Sequence, residues 1–116
     1  MMTGVLVFCA FSAAPASARE EADSANAKVA GLRAHFAQEF CGVSAEQIAQ
    51  YKSKLKTLSD AGDFEVWWER GWHNEVSRTI QLRAMRTSDP KEYAARVKND
   101  CARLKWQAEN AIRKAK

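Results

Sequence analysis

Glu69 and His73 stand four residues apart. That spacing puts two side chains on one face of a helix. Such a pair can pass a proton or offer two ligands to a metal ion. A catalytic zinc needs about three protein ligands, and no His-Glu-x-x-His pattern supplies them. The simpler reading is an ion pair on a helix surface. His35 is the other histidine, and nothing near it in sequence completes a site. Without a C-x-x-C-H, covalent c-type haem is not expected, whereas haem held between helices by His and Met needs no fixed spacing. The chain contains no Gly-rich phosphate loop, G-x-S-x-G elbow or C-x-x-C pair. These residues predict a protein that is not an enzyme and holds no cofactor. Glu69 and His73 are its only metal candidates.

The cysteines point to a compartment. Residues 1–18 carry no charged side chain, and the stretch Val5 to Phe11 is apolar. Ala16-Ser17-Ala18 is a small-residue site, followed at once by Arg19-Glu20-Glu21. This pattern predicts a secretory signal over residues 1–18, cleaved near Ala18, and a mature domain over 19–116. No Lys or Arg precedes the apolar run. Either the start is misassigned or the free amino terminus supplies the only positive charge. The competing reading is a buried N-terminal helix. The run is too short to span a bilayer, so no transmembrane segment is expected. Cys9 would leave with the signal. That leaves Cys41 and Cys101, and an even count in an oxidising compartment predicts a disulfide. Closing a loop of about 60 residues contributes roughly 4 kcal/mol on the chain-entropy account. The mature protein is thus expected in the periplasm or secreted.

Charge and one tryptophan suggest a partner. Net charge is −2 over residues 19–50, +1 over 51–90 and +5 over 91–116. The basic last segment suits an acidic protein or an anionic envelope polymer, or is an ordinary solvated face. Nucleic acid is not expected for an exported protein. Trp106 stands about 200° around a helix from Leu104, with Arg103 and Lys105 beside it. Either another segment covers it or it is an exposed anchor, in which case Trp106, Arg103, Lys105 and Arg113 form an interaction surface.

Helices must position all of these groups. Five Gly and two Pro in 116 residues, with abundant Ala, Glu, Lys, Arg and Gln, favour long helices over strands and turns. The first helix is expected from Ser24 to Cys41, with Val29, Leu32, Phe36 and Phe40 as its stripe and residues 19–23 frayed. Gly42 closes it. Ser44 and Gln47 form a capping box for a second helix bearing Ile48, Tyr51, Leu55 and Leu58. Lys52, Lys54 and Lys56 read as its solvated face. The third helix is expected from Phe64 to Arg86, and Gly71 within its aromatic arc suggests the close approach of another helix. Asp89-Pro90 starts the fourth, whose inward face includes Tyr93, Val97, Cys101 and Leu104. The expected fold is all-α, a small four-helix bundle closed by one disulfide.

The order Phe40-Cys41-Gly42, then an aromatic stretch from Trp68 to Trp72 around Gly71, then Cys101 in a basic helix carries a resemblance. It resembles an uncharacterised family of small exported helical alphaproteobacterial proteins with two well-separated cysteines. The resemblance covers most of residues 29–112. It implies a disulfide and a periplasmic home, and no activity. A two-cysteine acid-stress chaperone of the periplasm is also small and helical, though the cysteine spacing here is longer than that analogy wants.

Overall fold

The computed structural model describes residues 14–115, with side-chain burial from Ala18 onward. Most of the expected signal, including Cys9, lies outside the described residues. The described chain is helical throughout: α1 (Ala14–Phe40), α2 (Ala45–Leu58), α3 (Phe64–Trp72), α4 (Ser77–Ser88) and α5 (Pro90–Ala115). The expected start and stop signals are in place. Gly42 has φ +71°, a left-handed conformation open to glycine without steric cost. Ser44 Oγ accepts the Gln47 N–H at 3.1 Å, and Gln47 Oε1 accepts the Ser44 N–H at 3.0 Å. Asp89 Oδ1 accepts the Glu92 N–H at 3.2 Å, and Pro90 is the first residue of α5.

Two boundaries differ from expectation. α1 begins at Ala14, ahead of Ser24, and residues 19–23 are helical rather than frayed. Alanines favour helix along this stretch. The loop before α3 also grips it: the Asp60 N–H donates to Asp23 at 2.6 Å, and Ser24 Oγ donates to Asp63 at 3.4 Å. The third helical segment is divided, with His73 to Val76 separating α3 from α4. No Gly or Pro marks that break. α3 lies along α1, whereas α4 packs against α5, so one straight helix cannot serve both neighbours.

The α1–α3 crossing is the tightest contact. A Cβ on Gly31 would collide with the Trp68 carbonyl, and one on Gly71 would collide with the Lys28 carbonyl. The close approach expected at Gly71 is therefore real, and Gly31 is its counterpart. The core around it consists of Ala27, Ala30, Ala34, Phe64 and Trp68. α1 thus buries a small-residue face there; of the expected stripe Val29, Leu32, Phe36 and Phe40, only Phe40 is buried, Leu32 and Phe36 are half-buried, and Val29 is 38% exposed. Large side chains facing α3 would hold the two backbones apart. Beyond the crossing, Cys41 and Cys101 are bonded, joining the end of α1 to α5.

Gly71→Ala is expected to destabilise the protein by about 3 kcal/mol or more, because backbone rather than a flexible side chain must give way. Gly62→Ala is the control. It has no atom within 4 Å of the added carbon, and urea unfolding should place it within about 0.5 kcal/mol of the parent.

Candidate binding groove

α2 buries none of its residues completely. Its apolar stripe, Ile48, Tyr51 and Leu55, is only half-buried. Leu104, Ala108 and Ala111 on α5 are also half-buried. Ile48, Tyr51 and Leu55 pack against the core that holds the α1 alanines, and the space left between these walls is a groove of about 960 Å³. That lies at the upper end of the roughly 300–1,000 Å³ typical of small-molecule sites. Tyr51 spans the groove, donating from its hydroxyl to the Ala108 carbonyl at 3.3 Å. Burial pushes the Tyr51 phenol above its ordinary pKa, and the positive charge of Arg33 partly offsets this. Arg33 is half-buried and lines the same groove. Among the described residues no carboxylate forms an ion pair with it.

Trp106 reaches the rim of this groove. It is 59% exposed, so the covering segment considered from sequence is not found among the described residues. Lys105 also lines the rim and is exposed. Arg113 follows Trp106 by seven residues, two helical turns, and is exposed on the same side. Arg103 points part of its guanidinium elsewhere, donating to Asp100 at 2.8 Å.

Asp100 was not singled out from sequence. It is 3% exposed and is the one fully buried residue of α5. Arg78 of α4 grips it with two hydrogen bonds of 2.7 Å. A bidentate, charge-assisted pair of this kind fixes geometry as well as adding energy. A second clamp joins α4 to α1: Arg83 donates to Glu39 at 2.7 and 2.8 Å and to Glu75 at 3.0 Å. The hydrogen bond from Arg83 holds the Glu39 carboxyl below its ordinary pKa, with burial opposing. Arg86 adds a contact to Glu39 at 3.7 Å and lies over the Phe40 and Tyr93 rings. Lys52 is not simply solvated either; it meets Glu65 at 2.7 Å and sits over Trp68. That bond is the chief cause of a lowered Glu65 pKa.

Glu69 and His73 form an exposed pair at 3.3 Å. No group of three or more His, Cys, Asp or Glu able to hold a metal occurs among the described residues. The histidine placed among the tryptophans is His35, not His73. Its ring stacks on Trp72 at 4.5 Å, and its Nδ1 meets the Trp72 carbonyl at 2.5 Å. The carbonyl accepts, so Nδ1 carries the proton. That contact ties α1 to the last residue of α3 and occupies a carbonyl freed where the helix stops.

A double-mutant cycle on Arg78→Met and Asp100→Leu should give a coupling of about 1–3 kcal/mol. Arg78→Met alone should be the milder of the two, because Arg103 still reaches Asp100; a coupling near zero would mean that the bidentate pair does not dock α4. Compared with family models, curated proteins and solved structures, the chain finds no match.

Proposed function

We propose that the protein is an exported, non-catalytic binding protein that engages an anionic macromolecule of the cell envelope through the Trp106 face of α5. The observation carrying this reading is the exposure of Trp106 itself, 59%, at the mouth of an apolar groove and between basic residues. An indole with one wet edge and an apolar body is well suited to an interface. The +5 charge over residues 91–116 would draw an anionic partner and orient it toward this face. The Cys41–Cys101 bond supports an oxidising home, as does the resemblance to small exported two-cysteine proteins. No helix among the described residues is long and apolar enough to cross a membrane.

Affinity capture from an envelope fraction tests the reading. The parent should retain an acidic protein or anionic polymer, and Trp106→Ala should lose it with an unchanged melting temperature. Equal capture by the two proteins would remove Trp106 from the site.

A second reading, a holdase opened by acid, draws on the Glu39 clamp. A carboxyl whose folded pKa is depressed adds stability above the unfolded value, and that contribution is lost as pH falls through the folded one. Glu39 and Glu65 are both of this kind, so their clamps weaken below about pH 4.5 while the disulfide persists. Loss of the Glu39 clamp would free α4 from its ionic tie to α1 and loosen the segment that carries Leu82, which is 1% exposed in the folded chain. An acid titration followed by a dye that reports exposed apolar surface should then show a rise below that pH, and Glu39→Gln should show it already at neutral pH. A protein that binds no dye in acid is not a holdase of this type.

A further inference from the structure

We infer that the groove between α1, α2 and α5 is a site for a single-chain anionic amphiphile of the fatty-acid class, with its carboxylate at Arg33. The inference deepens the binding reading, since it uses the same groove, but it does not depend on export or on a partner at Trp106.

Three observations converge. The groove is bordered by three helices, and the apolar side chains that α2 and α5 turn toward it stay half-buried, so an alkyl chain can complete contacts that they leave unmade. Its floor is alanine, which leaves room that larger side chains would fill. The one cation set within the lining rather than at its edge is Arg33, half-buried and without an ion pair among the described residues. Six of the nine arginines form an ion pair among the described residues, and of the other three, Arg33, Arg70 and Arg113, Arg33 alone is half-buried. A planar guanidinium matches a carboxylate with two parallel hydrogen bonds. Tyr51 stands close enough for Arg33 to influence its phenol.

The acidic groups of the lining do not neutralise Arg33. Asp23 accepts the Asp60 N–H at 2.6 Å, and Glu109, an exposed lining residue of α5, forms no ion pair with Arg33. Lys105 and Lys114 at the rim add to the positive field. An alkyl chain with an anionic head therefore fits both halves of the site, whereas a cationic head would meet Arg33. A second copy of this chain is the competing occupant, and the experiment below separates it from an amphiphile.

Calorimetric titration of the disulfide-bonded protein, stripped of lipid, tests the site with laurate, dodecanol and dodecyltrimethylammonium. Laurate should bind at least about tenfold more tightly than dodecanol, a difference of about 1.4 kcal/mol, and the cationic amphiphile should bind more weakly than either. Arg33→Gln should erase the preference for laurate while leaving dodecanol binding unchanged. Ala111→Phe, which fills the groove from α5, should weaken laurate and dodecanol alike. If that variant does not fold, Arg33→Gln alone decides. Equal affinity for laurate and dodecanol, or no binding of either, would overturn the inference. So would a parent dimer that Ala111→Phe dissociates, because a second copy would then occupy the groove. Failure of laurate binding with Trp106-dependent capture intact would sink this site alone; failure of both would sink the binding reading with it.

Discussion

The approach of α1 and α3 at Gly31 and Gly71 is the constraint on which the rest of the structure depends. Each glycine faces a carbonyl of the other helix at a distance that no Cβ can share. Burial on this side is consequently achieved by close-packed backbone and alanine, with Phe64 and Trp68 laid across the crossing. Dispersion summed over many short contacts takes the place of a few large apolar side chains. The arrangement also fixes where the aromatic residues go. Trp68 packs into the core, Trp72 stacks on His35, and Trp67 turns out to donate from Nε1 to Asp63 at 2.7 Å.

The other end of the molecule is held by different forces. α4 contributes one fully buried side chain, Leu82. Its docking relies on arginines that reach buried or half-buried carboxylates on α1 and α5, with Cys41–Cys101 bonded nearby. Apolar burial does not respond to protonation of Asp or Glu, but a carboxylate–guanidinium clamp does. The α1–α3 half and the α4–α5 half should therefore differ in what weakens them. The covalent bond between α1 and α5 keeps the chain ends of that second half together when the charges are lost. Neither arginine clamp shares a residue with the glycine crossing.

Signals that act within one or two turns of helix were legible in the sequence. The Ser44–Gln47 box, Gly42, Asp89-Pro90 and the pairing of Cys41 with Cys101 each depend on local chemistry or on simple counting, and each appears as read. Gly71 was legible because a glycine among tryptophans in a helix needs a compensating neighbour. Gly31 was passed over, since its setting of Ala and Leu looked ordinary. The large residues Val29, Leu32 and Phe36 then drew the inward face to the wrong side of α1, and of that stripe only Phe40 is buried. Period alone ranks a helix face by hydrophobicity, and a close crossing ranks it by size. The break at His73 to Val76 had no punctuation to read. It comes from a choice of neighbours, α1 for one half and α5 for the other, which no window of sequence contains. Asp100 was hidden for the same reason, because its partner Arg78 lies 22 residues away.

The groove is a consequence of that choice of faces. A helix that turns its alanines inward to admit α3 presents the same alanines to the neighbours on its other flank, where Ala30, Ala34 and Ala37 lead at three- and four-residue steps to Cys41. α2 and α5 carry larger apolar residues, yet their axes are set elsewhere. α2 is tied by its short loops and by Lys52 to Glu65, and α5 by the disulfide and the Asp100 clamp. Held in this way, α2 packs its stripe against the alanine core while Leu104, Ala108 and Ala111 of α5 stay half-buried. The space between them remains. A cavity that followed from poor packing alone would be lined by apolar atoms throughout. This one holds the Arg33 guanidinium of α1 and the Tyr51 phenol of α2, the phenol bonded to the Ala108 carbonyl of α5.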